Sequence, residues 1–186
     1  MMDHFDLLAT IYDRVIGHPK TDILRELLRL PTTGSLLDCG GGTGRVSGQL
    51  RPFVGQLVIT DLSQPMLKQA QDKDSLIPVR SHAERLPFPD ESFERILVVD
   101  ALHHFCDQKK AIDEFLRVLK PQGRLVIEEP DINRFAVKLV AIAEKLFLMR
   151  SHFLAAQEIR NMIASLGLTS HVKSDGRFEF WITVDK

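Results

Sequence analysis

The pattern of hydrophobic and polar positions alternates short apolar runs with segments in which apolar residues recur every three or four positions. Continuous apolar runs predict strands at residues 36–38, 56–61, 77–80, 93–99 and 124–128, with two more on either side of an Asp-Gly hairpin signal at 175–176. Helical spacing predicts helices between these strands. Parallel neighbours need crossover connections, so this alternation predicts a parallel sheet with helices on both faces.

The two ends of the chain depart from this alternation. Helical spacing predicts two helices before the first strand, at residues 3–16 and from Thr21 to Leu30, and a long, mostly apolar helix at 132–149. A last helix and the hairpin follow. We therefore predict one α/β, doubly wound domain over residues 1–186, with three layers and a mostly parallel seven-stranded sheet that ends in an antiparallel hairpin edge.

Composition excludes several classes of function. Of 186 residues, 44% are hydrophobic, and 24 Lys and Arg oppose 25 Asp and Glu without segregation, so we expect no nucleic-acid partner. Cys39 and Cys106 lack metal-ligand spacing and form no disulfide framework. The N-terminus lacks a signal-peptide pattern, and charged residues interrupt the longest apolar stretch. We therefore expect a cytoplasmic protein without a membrane-spanning segment.

The candidate chemistry centres on the glycine-rich stretch from Leu36 to Arg45. An apolar strand ending in Asp38 runs into Gly40, Gly42 and Gly44, which is typical of a loop whose backbone presses against a ligand. A flexible linker is the simpler alternative. Asp61 ends the next predicted strand about 20 residues later, where an acid can bind ribose hydroxyls, or can serve as a turn residue or helix cap.

The spacing of the glycines argues against a nicotinamide dinucleotide, because Gly40 and Gly42 are followed by Arg45 where a third glycine is needed. The loop instead resembles the first motif of the class I S-adenosylmethionine-dependent methyltransferases. Three further segments agree, at residues 60–67, 83–93 and 117–125. The similarity is greatest to the subgroup containing ubiquinone and menaquinone biosynthesis methyltransferases. It implies a Rossmann-like fold, S-adenosylmethionine as cofactor, no metal, and a small-molecule acceptor.

The resemblance also implies roles for individual residues. Asp38, Gly40, Gly42 and Gly44 would face the methionine part of the cofactor, Asp61 the ribose, and Leu62 and Met66 the adenine. Tyr12 would lie on an N-terminal lid helix, unless it is a core aromatic. The remaining predicted cofactor-binding positions are His82, Ala83, Glu84 and Asp100. His82 stands where the family most often has Asp, which puts its adenine contact in doubt.

Methyl transfer from a sulfonium is an in-line displacement that requires no nucleophilic side chain. A base helps only where the acceptor must lose a proton, and His103 and His104 are weak candidates for that role. Capping or packing would equally explain them. Glu128, Glu129 and Asp131 could line the acceptor side or cap the following helix.

We expect residues 1–34 to form lid helices, 35–130 the cofactor-binding core, 131–150 an inserted acceptor-side helix, and 151–186 the last helix and hairpin. The wide apolar face of the inserted helix could pack on the N-terminal helices, line an acceptor pocket, or contact a membrane surface or second copy. The expected function is methylation of a small, hydrophobic or aromatic acceptor by a monomer or homodimer. The alternatives are a non-catalytic S-adenosylmethionine-binding regulator and a nucleotide-cofactor oxidoreductase.

Overall fold

The structure is a computed structural model that describes residues 20–73, 75–135, 137–138 and 151–186. The predicted first helix with Tyr12, and most of the helix predicted at residues 132–149, lie outside the described residues. Their predicted roles, including the lid and the acceptor-side helix, therefore stay predictions.

The strands of the described residues form one mixed sheet. They are β1 (Ser35–Cys39), β2 (Gln56–Asp61), β3 (Leu76–Arg80), β4 (Phe93–Val99), β5 (Leu119–Pro130), β6 (Ser170–Ser174) and β7 (Glu179–Asp185). Their order is β3-β2-β1-β4-β5-β7-β6, with β1 to β5 parallel and β7 antiparallel to both β5 and β6. The predicted fold class, including the antiparallel edge, is confirmed.

The fifth strand differs from the prediction because it begins at Leu119 and includes the expected turn at 121–123. Gln122 adopts a positive φ of 64°. The pairing of β4 with β5 shifts register between Phe93 and Arg95, which accommodates this irregular start.

The helices among the described residues are α1 (Thr21–Leu28), α2 (Arg45–Leu50), α3 (Gln64–Gln71), α4 (Gln108–Val118) and α5 (Ala156–Ala164). Short 3₁₀ turns span Arg51–Phe53 and Leu102–His104. Ser63 and Asp107 cap α3 and α4, as their residue types predict, by accepting the backbone N–H groups of Met66 at 3.3 Å and Lys110 at 3.0 Å.

Both faces of the sheet are buried, in agreement with its continuous apolar strands. Leu36 and Leu97 belong to one buried cluster, while their chain neighbours Leu37 and Ile96 belong to the other. Within the described part of the chain, no helix is long and apolar enough to cross a membrane. The strand order reverses between β1 and β4, which leaves a crevice beyond the carboxyl ends of these strands.

Candidate functional site

Two adjoining cavities occupy this crevice. The larger has an empty volume of about 800 Å³, including its open mouth, and the smaller about 370 Å³. Both are lined by Gly40, Gly42 and Asp100, so they form one continuous cleft. The other residues that line the larger cavity are Cys39, Thr60, Asp61, Leu62, Ser63, Met66, Ser81, Ala83, Glu84, Ala101, His104, Phe105 and Cys106.

The glycine loop after β1 is fixed against the end of β2. The N–H groups of Gly40 and Gly41 donate to the carbonyl oxygen of Thr60, at 2.8 and 3.1 Å. Gly40 has a φ of +76°, and a Cβ there would lie 2.5 Å from the Cβ of Ala101. Only glycine allows this approach of the loop to the segment after β4.

Asp61 connects the glycine loop to the start of α3. Its Oδ2 accepts the N–H of Gly42 at 3.0 Å, and its Oδ1 accepts the N–H of Ser63 at 2.8 Å. A carboxylate oxygen can accept more than one hydrogen bond, so Asp61 can also receive hydroxyl groups of a ligand. Its position on the cleft wall makes this contact possible.

The space beside Gly42 has the properties of a ligand cradle. A Cβ at Gly42 would project into the cleft, where the nearest heavy atoms, Asp61 Oδ2 and Met66 Sδ, are both 3.9 Å away. The hydroxyl oxygen of Ser81, also on the cleft wall, is buried and has no hydrogen-bond partner among the described residues. Apolar and hydroxyl-binding groups together fit a nucleoside-type ligand.

Asp38 lies beneath the loop and lines the smaller cavity with Arg45. Its side chain is only 1% exposed and accepts the hydroxyl of Ser47 at 2.6 Å. Burial raises the pKa of Asp38 to about 6; the Ser47 hydrogen bond opposes this shift and the charge of Asp61 adds to it. The cleft thus has an acidic floor.

Asp100 follows β4 at the junction of the two cavities. Its backbone has a φ of 49°, in the left-handed region, and its N–H donates to the carbonyl oxygen of Glu128 at 3.0 Å. Its carboxylate accepts no hydrogen bond from the described residues. Burial, followed by the charge of Glu129, raises the pKa of Asp100 to about 6.

Glu129 holds the segment after Asp100 from behind. Its Oε1 accepts the N–H groups of Ala101 at 3.1 Å and Leu102 at 2.8 Å, and its Oε2 accepts the ring Nδ1–H of His103 at 2.6 Å. The ring of His103 also stacks on Phe153, with centroids 4.2 Å apart. His103 is therefore a buried packing residue that lies behind the cleft wall.

His104 is the histidine that reaches the larger cavity. Its Nδ1 lies 3.2 Å from the hydroxyl oxygen of Ser151. Burial and the neighbouring His103 lower the pKa of His104 to about 3. Its ring is consequently neutral at physiological pH.

Residues 37–127 match the methyltransferase domain family. The ubiquinone/menaquinone biosynthesis C-methyltransferase of Marinomonas sp. (strain MWYL1) is 36% identical over 104 residues. Over this stretch the chain is similar to the class I S-adenosylmethionine-dependent methyltransferases. The match covers 50% of this chain and 41% of the Marinomonas protein, so the chain spans less than half the length of that relative.

Solved structures agree with the fold of this methyltransferase family. A SAM-dependent methyltransferase of Thermotoga maritima superposes with a TM-score of 0.80 at 22% identity, covering 98% of this chain and 97% of that one. The [4+2]-cyclase SpnF reaches 0.80 at 16% identity, covering 98% of this chain and 93% of its own. Because a cyclase shares the fold, the fold alone does not specify the reaction.

The structure places most of the predicted cofactor-binding residues on the wall of the cleft. The larger cavity holds Gly40, Gly42, Asp61, Leu62, Met66, Ala83, Glu84 and Asp100, and the smaller holds Asp38. Gly44 instead starts α2 with a φ of 73° and packs against Leu76. His82 is 68% exposed at its side chain and lines neither cavity.

Other cleft residues escaped the sequence analysis. Ser81, Ala101, Phe105 and Cys106 line the larger cavity and Arg45 the smaller one. Ser81 and Ala101 lie within two residues of predicted strand ends, which is the signal that could have found these two. Glu84 fixes part of this wall, because its Oε1 accepts the N–H groups of Cys106 and Asp107 at 2.8 and 3.2 Å.

The acidic residues at the end of β5 lie outside both cavities. Glu128 accepts the indole N–H of Trp181 at 2.5 Å, and burial raises its pKa to about 8. Asp131 accepts the N–H of Asn133 at 3.0 Å, as a capping residue does. Only Asp131 therefore has the contact expected of a capping residue, whereas Glu128 bonds to a side chain of β7.

Proposed function

We propose that the chain binds S-adenosylmethionine and transfers its methyl group to a small, hydrophobic or aromatic acceptor by in-line displacement. The observation that carries this proposal is the contact between the Gly42 N–H and the Asp61 carboxylate, 3.0 Å apart on the wall of the cleft. It joins a glycine loop to a ribose-type acid in a chain of the methyltransferase family.

The residues present fit this cofactor. Asp61 would receive the ribose hydroxyls, with Leu62 and Met66 beside the adenine and Asp38, Gly40 and Gly42 near the methionine part. Bound S-adenosylmethionine supplies an electrophilic methyl group on a positively charged sulfur. The acids of the cleft, Asp38 and Asp100 above all, provide a negative environment that suits this charge.

Positioning and exclusion of water are the contributions that we assign to the protein. His104 faces the larger cavity, but with a pKa of about 3 it is a poor proton acceptor near neutral pH. His103 is engaged with Glu129 behind the wall. We therefore replace the general-base hypothesis with a role for His104 in orienting the acceptor.

The residues that line the larger cavity and the similarity to a C-methyltransferase both support this class of acceptor. Ala101 and Phe105 add apolar surface next to His104. The Marinomonas relative is named for C-methylation in ubiquinone and menaquinone biosynthesis. We propose a small aromatic acceptor and, by analogy with the bacterial relatives, a cytoplasmic location.

Calorimetric titration with S-adenosylmethionine, S-adenosylhomocysteine and NAD tests the cofactor. Binding of the first two without NAD is expected; binding of NAD alone would overturn the proposal in favour of an oxidoreductase. Incubation with labelled S-adenosylmethionine and a panel of phenols, hydroquinones and aromatic amines then tests transfer. Product bearing the label supports an enzyme, whereas tight cofactor binding without transfer to any acceptor supports the regulatory alternative.

A further inference from the structure

We propose that Asp100 makes the cleft prefer the positively charged methyl donor over its neutral, demethylated product. This inference rests on the proposed function, since it concerns the same site. The starting observation is the place of Asp100, which lines both cavities where they meet. Its carboxylate accepts no hydrogen bond from the described residues, so its charge is not already satisfied at close range.

The other acids of the cleft do not share this property. Asp61 accepts two backbone N–H groups, and Asp38 is 1% exposed and accepts the hydroxyl of Ser47. A partly buried carboxylate without such donors gains the most from a cation that enters the cavity, because the cation replaces hydration that burial has removed. Asp100 is therefore the carboxylate that responds most to the charge of the ligand.

The surroundings of Asp100 are predominantly acidic. The charged and titratable groups that act on it are Glu128 and Glu129 of β5, Glu179 of β7, His103 of the following turn and Arg45 of α2. The carboxylates raise the pKa of Asp100, to about 6 together with burial, while His103 and Arg45 lower it. These carboxylates disfavour the charged form of Asp100. A cationic ligand beside Asp100 offsets that repulsion, whereas a neutral ligand does not.

The two ligands make this preference measurable. S-Adenosylmethionine and S-adenosylhomocysteine share the nucleoside and the amino acid part and differ by one methyl group and one positive charge. A single charge at contact distance in a partly buried site changes affinity by about tenfold or more. The ratio of the two dissociation constants consequently reports the charge at Asp100, while contacts to the shared parts cancel.

The experiment titrates both ligands calorimetrically into the wild-type chain, Asp100→Asn, and Asp22→Asn as a matched control with a fully exposed side chain. Asparagine keeps the shape and tolerates the left-handed backbone of this position. Asp100→Asn is expected to reduce the preference for S-adenosylmethionine by about tenfold near neutral pH, with S-adenosylhomocysteine affinity within about threefold of wild type. Asp22→Asn is expected to match wild type.

A pH series on the wild-type chain gives a test that needs no variant. Asp100 carries its charge above its raised pKa, so the preference is expected to grow between about pH 5 and about pH 7.5. A flat series, or a preference in folded Asp100→Asn that equals that of the wild type at every pH, overturns the proposal. Asp38 lines the same cleft and its pKa is also raised to about 6, so only the part of the pH dependence that is lost in Asp100→Asn is assigned to Asp100. Failure of the wild type to bind either ligand at millimolar concentration overturns the proposed function instead.

Discussion

The carboxyl ends of β2 and β4 both place an aspartate on the cleft, yet they hold it in opposite ways. At the end of β2, Asp61 is itself the organiser, because its carboxylate accepts the N–H groups of Gly42 and Ser63. At the end of β4, the carboxylate of Asp100 accepts no hydrogen bond from the described residues. The segment that follows Asp100 is held by Glu129 of the neighbouring strand.

The two strand ends also differ in the sequence separation between the residues that stabilise them. The partners of Asp61 are 19 and 2 positions away along the chain, in the loop after β1 and at the start of α3. Glu129 lies 28 positions from Ala101 and 26 from His103, so it reaches the cleft only after β4 and β5 have paired. The carboxylate of Asp61 is held rigidly by the two N–H groups that it accepts. The charge of Asp100 stays available for a ligand, because Glu129 and not Asp100 holds the segment after β4.

The largest expected effect comes from removing the support at β4. Glu129→Ala leaves the N–H groups of Ala101 and Leu102 and the ring of His103 without their buried partner. We expect the free energy of unfolding to fall by about 3 to 5 kcal/mol, the usual cost of breaking such a buried network. Urea denaturation followed by circular dichroism measures this change.

The matched control is Glu26→Ala, because the side chain of Glu26 is 69% exposed and, among the described residues, pairs with Lys173 at 3.2 Å. An exposed pair of this kind contributes less than about 1 kcal/mol. Equal losses in the two variants would show that Glu129 does not hold the β4 end. Glu129→Gln should fall between them, because an amide oxygen still accepts one set of N–H groups.

Asp61→Asn breaks the β2 end with a smaller effect that concerns affinity more than folding. The amide keeps one acceptor oxygen but loses the charge that strengthens hydrogen bonds from ligand hydroxyls. We expect affinity for S-adenosylhomocysteine to fall by at least about 1.5 kcal/mol, or more than about tenfold. Calorimetry measures it, and unchanged affinity would move the proposed ribose site away from Asp61.

The same contrast explains how much of this protein the sequence analysis could reach. Apolar runs predict the central strands because a strand buried on both faces needs them, whereas β6, which is mostly exposed, is predicted from the Asp-Gly hairpin signal. Asp61 is predictable because its spacing from the glycine loop is local. The early start of β5 at Leu119 is not predictable, since Pro121-Gln122-Gly123 has the composition of a turn. Pairing with β4 overrides that local preference.

The β4 end shows the other limit. His103 and His104 are adjacent in sequence and equivalent by residue type, so no spacing rule says which one reaches the cleft. The 3₁₀ turn at Leu102–His104 turns His103 toward Glu129 and His104 toward the cavity. The exposed position of His82 likewise depends on the path of the loop between β3 and β4.

Gly42 lies between the two ends and gives the third prediction. Gly42→Ala adds a Cβ that points into the cleft, so we expect affinity for S-adenosylhomocysteine to fall by about tenfold. Gly176→Ala is the control, because Gly176 also has a positive φ, 72°, but nothing lies within 4 Å of its Cβ position. Both variants should lose about 1 kcal/mol of stability from backbone strain. A comparable loss of affinity in Gly176→Ala would contradict the proposal that the ligand binds in the space beside Gly42.

The last prediction concerns Asp38, whose charge lies beneath the glycine loop. Its pKa in the folded chain, about 6, exceeds its ordinary value of 3.8, so folding disfavours the charged form. Stability from this residue is therefore complete below about pH 4 and is lost as the pH rises through about 6. Asp38→Asn, which still accepts the Ser47 hydroxyl, is expected to stabilise the unliganded chain by about 1 to 3 kcal/mol near pH 7.5 and by little near pH 4.

Urea unfolding at the two pH values tests this, and a variant less stable than wild type near pH 7.5 would mean that the buried charge is compensated by its surroundings. A buried charge that destabilises the unliganded chain is expected where that charge serves to bind a cation. Weaker binding of S-adenosylmethionine by Asp38→Asn would therefore show that the charge of Asp38 contributes to binding of the positively charged ligand.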